Sequence, residues 1–178
     1  MSAGRLLTVV FAHEMRRLLT GRAWWTMVLL LSPLVGFGYV AAVRLFSEAS
    51  RTALRFPDLA RGMTPLDGVL VPTLGAFYLA TTLLFPFVAI RVIGADKESG
   101  ALKLALQWPL SHGALLAVKL AAVMAAWSIT LIVPVSALLF WHFSGGHLAI
   151  AETLNLILGH ALYALAVAGI ACFAAVLT

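Results

Sequence analysis

Four stretches of this chain carry no Asp, Glu, Lys or Arg over a length that can cross a bilayer: Ala23 to Val43, Gly68 to Ile90, Leu120 to Ala151 and Thr153 to Thr178. An ionised residue at the centre of a membrane helix costs roughly 2.5–3.5 kcal/mol, and a crossing needs roughly 20 apolar residues, so freedom from charge over this length is what spanning demands. Inside the third stretch, Ser144-Gly145-Gly146-His147 pairs two glycines with polar neighbours and marks a turn. The third span is therefore trimmed at Phe143, which leaves a tight hairpin before the fourth. The expected fold is all-α: one transmembrane domain over residues 1–178, a polytopic helix bundle with spans at 23–43, 68–90, 120–143 and 153–178.

Composition agrees. With 62% hydrophobic residues, 11% charged and a mean hydropathy of +1.02, too little polar surface remains to coat a soluble globule. The net charge of +5 does not point to nucleic acid, because the twelve Lys and Arg flank apolar runs instead of gathering on one basic face. The single cysteine, Cys172, excludes an intrachain disulfide and any CxxC motif, and its apolar surroundings make it a small packing residue. Arg5, Arg16 and Arg17 interrupt the opening residues, which lack the continuous apolar core and cleavage site of a signal peptide, so the N-terminus is expected to stay on the mature protein.

Basic residues in the flanks set the orientation. Four arginines precede the first span (Arg5, Arg16, Arg17, Arg22), four lie in the first loop (Arg44, Arg51, Arg55, Arg61), four basic residues lie in the second (Arg91, Lys97, Lys103, Lys119), and the third loop has none. A cytoplasmic N-terminus places eight inside and four outside, as the positive-inside rule prefers, and makes the loop 91–119 cytoplasmic. The first loop opposes this preference, although Glu48, Asp58 and Asp67 soften its charge.

Residues 1–22 place Leu7, Phe11, Met15, Leu18 and Leu19 near helical spacing, with most polar residues elsewhere. That pattern predicts an amphipathic helix in the cytoplasmic interface, serving as an anchor or as a functional element, before Gly21 turns the chain into the first span. Trp24 and Trp25 then fall at headgroup depth. Pro33, Pro86 and Pro134 interrupt three spans, as packing kinks or as hinges. Small residues four apart (Ala121 and Ala125, Ala122 and Ala126, Ala164 and Ala168) allow close helix approach.

Groups that could carry chemistry are few. His160 is the ionisable residue well inside a span, where it either hydrogen-bonds between helices or lines a substrate path. His142 and His147 face each other across the glycine turn without a third metal ligand. HExxH, GxSxG, paired intramembrane acids and the P-loop GxxxxGK[ST] are all missing from the sequence. No catalytic residue, metal site or cofactor is expected, and any energy source must come from another chain.

The second loop is where such a source could attach. Asp96 and Glu98 precede Ala101, Leu102, Ala105 and Leu106, with Lys103 further along, the charge order that a helix dipole favours. This predicts a short amphipathic helix that begins at the two acids and stops at Trp108-Pro109. Ser111 then offers an N-cap to a second helix through Leu115, Leu116 and Lys119. A surface helix held between two spans either docks into a groove on a soluble partner or rests on lipid.

Two passages carry a resemblance to the permease subunits of ABC type-2 exporters. Phe11-Ala-His-Glu14-Met-Arg16, followed by the basic, Trp-rich approach to the first span, is similar to the start of such subunits. The second loop resembles their acidic-x-Glu-x-Gly-Thr-Leu, Leu-rich, Pro-x-Ser-Arg and Lys pattern, here Asp96-Lys-Glu98-Ser-Gly100-Ala-Leu102, Leu104 to Leu106, Pro109-Leu-Ser111-His112 and Lys119. Ala101 replaces the usual Thr and His112 the usual Arg, with the spacing unchanged.

The resemblance implies that residues 1–22 are a cytoplasmic elbow helix. It also implies that 91–119 is a coupling loop through which Asp96, Glu98, Gly100, Leu102, Leu106, Pro109 and Ser111 engage an ATP-binding cassette subunit. It further implies a multi-pass protein of the cytoplasmic membrane, paired with a second permease copy as a homo- or heterodimer, with six spans in each subunit. The apolar run is still open at Ala174-Ala-Val-Leu-Thr178, so the resemblance predicts that further spans follow. On this reading the chain moves an unidentified substrate with energy from its partner and is no enzyme itself. The alternative is a membrane scaffold or assembly protein that docks partners without transport.

Overall fold

The computed structural model describes residues 3–56 and 63–177. Asp58 and Arg61 of the first loop, and Thr178 at the close of the fourth charge-free stretch, lie outside the described residues. In chain order the elements are α1 (Ala3–Thr20), α2 (Arg22–Ala53), a π-helical turn (Leu66–Leu70) leading into α3 (Val71–Glu98), α4 (Ala101–Ala105), α5 (His112–Thr130), α6 (Ile132–Phe143) and α7 (Ile150–Leu177). No strand occurs among the described residues. Four helical segments are long and apolar enough to cross a membrane: Arg22–Ala53, Leu66–Glu98, His112–Phe143 and Ile150–Leu177. The chain is an all-α, multi-pass membrane helix bundle, and Leu29, Phe37, Phe87, Ile132 and Ile170 are exposed apolar side chains of the kind a membrane protein presents outward.

The helices outrun the charge-free stretches. Helix α2 has 32 residues, about 48 Å at 1.5 Å per residue, against a hydrocarbon core of about 30 Å. Its last turns carry Arg44, Glu48 and Arg51, which end the apolar run without ending the helix. Before α3, Thr64 Oγ1 accepts the Asp67 N–H at 3.1 Å and donates to Asp67 Oδ2 at 2.6 Å, a reciprocal cap that starts the helix while residues are still polar. Pro33 and Pro86 sit within α2 and α3. At Pro134, by contrast, α5 stops at Thr130, the residue whose carbonyl the proline ring meets four positions back, and α6 resumes at Ile132.

Two compact units make up the chain. One comprises Met1–Val28, Thr82–Thr130 and Leu162–Thr178. In it α1 packs along α5, and the Trp24 indole N–H donates to Ala126 O at 3.2 Å. Its core includes Val88, Ala89, Val123 and Trp127. Ala122 and Ala126 are buried, as are Ala164 and Ala168, whereas Ala121 is exposed. Cys172 is a buried packing residue beside Ile93 and Ala175.

The other unit comprises Leu29–Thr81 and Leu131–Ala161. Val69, Leu70 and Leu138 centre its core, with Tyr39, Val43, Phe46 and Trp141 packed around them. Gly38 lets α2 approach α3 closely, since a Cβ there would lie 2.7 Å from Ala76 Cβ. The turn at Ser144 to His147 is present. Gly145 takes a left-handed φ of 90°, its N–H donates to His142 O at 3.0 Å, and the Gly146 N–H donates to Trp141 O at 3.0 Å.

Candidate coupling site

Three elements of the first unit converge on the segment between Glu98 and His112: α1, the last turn of α3 and the first turns of α5. Their meeting point is a cluster of four charged side chains. Lys119 on α5 donates to Asp96 Oδ2 on α3 at 2.5 Å and also bonds Glu14 of α1. Arg17, one turn beyond Glu14, bonds Asp96 and lies 3.7 Å from Glu14. Glu14, Asp96 and Lys119 are all buried, while a third of the Arg17 side chain reaches solvent. Two cations face two anions, so the cluster is neutral. A buried charge is tolerable only with this kind of pairing, since the penalty of an unpaired ion is several kcal/mol.

The sequence sets this up locally. Glu14 falls on the same helical face as Leu7, Phe11 and Leu18, so burying that apolar stripe also buries a carboxylate. Arg17 follows at i+3 on a neighbouring position. Lys119 lies seven residues past the start of α5, on the face that carries buried Leu115 and Ala122.

Asp96 and Glu98 do not start a surface helix, as the order of charges had suggested. Both belong to the last turn of α3, which runs on through them. Ser99 closes that helix with its N–H on Ala95 O at 3.1 Å, and Gly100 then takes a left-handed φ of 75°. The five-residue α4 that follows has no acid in its first turn, because the acids lie on the far side of the glycine. Asp96 faces inward, Glu98 outward.

Other expected site residues lie at the surface. No residue of α4 is buried. Leu104 is 63% exposed, Leu106 46% and Trp108 42%, while Leu102 is half-buried. Turn-like bonds continue past α4, with the Trp108 N–H on Ala105 O at 3.2 Å, and exposed Pro109, which has no N–H, interrupts them before the Leu110 N–H closes a tight turn on Trp108 O at 2.7 Å. Ser111 caps α5 as its spacing suggested, its Oγ accepting the Ala114 N–H at 3.2 Å. Beneath the loop lies a groove of about 480 Å³ with Leu6, Val9, Val10, Ala101, Leu104, Trp108 and Leu115 on its walls and the four charges at one side. Glu14 Oε2 is buried there without a hydrogen-bond donor among the described residues.

The remaining candidates belong to the other unit. In the second unit, His160 Nδ1 is 2.6 Å from Leu156 O and Nε2 is 3.1 Å from Leu74 O, so the ring ties α7 to α3. His142 Nδ1 is 3.3 Å from Gly146 O, and no group of three metal-ligating side chains occurs among the described residues.

What sequence reading missed is the partnership of Glu14, Arg17 and Lys119 with Asp96. The available signal was an acid on an otherwise apolar helix face.

An all-α bundle of four apolar spans, with a short exposed helix fastened between two of them, defines a polytopic membrane protein. A family model described as ABC-2 family transporter protein matches residues 8–178. The chain therefore belongs to the ABC-2 transporter family and is a membrane permease component of an ABC transporter, a class that associates with an ATP-binding subunit. No curated protein and no solved structure matches it.

Proposed function

We propose that this permease is the membrane half of an ATP-driven exporter, energised through the segment from Glu98 to Ser111. The observation that carries the reading is the fastening of that segment. An exposed apolar helix, α4, hangs between Asp96 and Lys119, and those two residues bond each other and the elbow helix α1. A push on α4 from a soluble subunit therefore reaches α1, α3 and α5 together. Leu104, Leu106 and Trp108, with half-buried Leu102, supply the apolar contact, and Glu98, Gly100, Pro109 and Ser111 shape its ends. Asp96 acts from beneath, by holding the ends of the loop. ATP binding and hydrolysis belong to the partner chain, α1 and this loop face the cytoplasm, and two permease copies form the transport path. His160 is an interhelical tie on this reading.

The test is reconstitution with the cognate ATP-binding subunit. Leu104→Asp and Leu106→Asp, both at exposed positions, are expected to leave the fold intact and to abolish co-purification and permease-dependent ATPase stimulation. Retention of the ATP-binding subunit by both variants would sink the assignment. Orientation is read separately: in a Cys172→Ala background, Gln107→Cys should react with an impermeant thiol reagent only in inverted vesicles.

A further inference from the structure

A second cleft, of about 590 Å³, opens between the start of α2 and the last turns of α3, a size common for ligand sites. Arg22 and Arg91 line it, both are exposed, and neither makes an ion pair or side-chain hydrogen bond to any described residue. Their places in the sequence carry the meaning. Arg22 immediately precedes the first charge-free stretch and Arg91 immediately follows the second, so each marks the boundary between apolar chain and water. The fold brings both boundaries to one cleft, whose wall includes the apolar side chains of Met27, Leu84, Phe87 and Ile90 beside the polar Thr26 and Glu98. Two guanidinium groups at headgroup depth above an apolar wall complement a phosphate that carries a hydrocarbon tail.

We propose that this cleft binds an anionic phospholipid, its phosphodiester between Arg22 and Arg91 and one acyl chain along Leu84, Phe87 and Ile90. Glu98 also lines the cleft, seven residues beyond Arg91 and so about 10 Å further along the helix. It disfavours headgroups with additional negative charge and accepts hydrogen bonds from hydroxyls, which selects a singly charged headgroup such as glycerol. A smaller cleft of about 140 Å³ is lined by the same two arginines together with Glu14 and Arg17, so the bound phosphate lies beside the charge cluster. The proposal does not depend on coupling to an ATP-binding subunit.

Native mass spectrometry of the purified full chain, offered phosphatidylglycerol, phosphatidylethanolamine or inorganic phosphate, provides the test. Phosphatidylglycerol should be retained in preference to phosphatidylethanolamine, and inorganic phosphate should not displace it. Arg22→Gln with Arg91→Gln should weaken retention roughly thirtyfold, from about fivefold for each basic residue near an anionic lipid surface, while Arg5→Gln with Arg44→Gln should leave it unchanged. Phe87→Asp, at an exposed position, should also abolish retention by removing the acyl-chain wall, and an unchanged melting temperature of the Arg22/Arg91 variant guards against a folding defect. Equal retention by the Arg22/Arg91 variant, absence of headgroup preference in the parent protein, or displacement by inorganic phosphate would each overturn the proposal.

Discussion

Lys119 and Asp96 are 2.5 Å apart at their charged atoms, and the chain between them contains the whole exposed loop with α4. This bond closes the loop at its base, and Glu14 and Arg17 then fix the closed base to α1. The loop is therefore fastened at its base to three helices, α1, α3 and α5.

Removal of one charge from the cluster should cost more than removal of a matched pair. Lys119→Met leaves two buried carboxylates with Arg17 alone and should destabilise the protein by roughly 3–5 kcal/mol. Adding Glu14→Gln leaves the Arg17–Asp96 pair neutral and should restore much of the loss. Thermal melting in detergent across this double-mutant cycle checks the expectation, and strictly additive losses would count against a coupled cluster.

Gly100 holds a backbone conformation that costs a residue with a Cβ roughly 1–2 kcal/mol. Gly100→Ala meets no steric obstacle, since nothing lies within 4 Å of the added atom, so its effect should come from the backbone alone. The expected result is a small fall in melting temperature with a larger fall in permease-dependent ATPase stimulation. A variant that matches the parent in both would show that the left-handed turn is dispensable.

His160 faces two carbonyl oxygens, and a neutral imidazole has one N–H to offer. His160→Phe should lower stability by about 0.6 kcal/mol, the average measured for hydrogen bonds between membrane helices, and by no more than about 1.7, and transport should persist at a reduced level. Complete loss of transport in a stably folded variant would return His160 to the substrate path.

Gly68 is overlaid by the Phe46 ring, in whose space a Cβ at that position would stand. Gly68→Ala should destabilise by about 1–3 kcal/mol through overpacking. Phe46→Leu in the same chain should relieve part of the cost, measured as partial recovery of the melting temperature.

The spans were legible because a bilayer excludes charge, and exclusion shows directly in the sequence. Their ends were not, because a helix that leaves the membrane can continue in water: Arg44, Glu48 and Arg51 end the apolar run and remain in α2. Ser111 was legible as a cap because its hydroxyl acts on a backbone group three residues away. Asp96 and Glu98 read in sequence as the start of the loop helix although they end α3, because acids before an apolar run look the same at the end of one helix as at the start of the next. Gly100 is the residue that decides between the two. The Glu14 to Lys119 bond joins positions far apart in the chain, and local pattern carries no information on such a pairing beyond the oddity of an acid on an apolar face.

Neutrality of the four-residue cluster has an evolutionary corollary. A substitution at Glu14, Arg17, Asp96 or Lys119 that alters charge is best repaired by an opposite change at one of the other three, because Lys119 and Glu14 are too deeply buried for solvent to compensate. Among homologous permeases these positions should covary as a set, with exchanged signs or joint loss, while neighbouring exposed Lys103 and Gln107 drift independently.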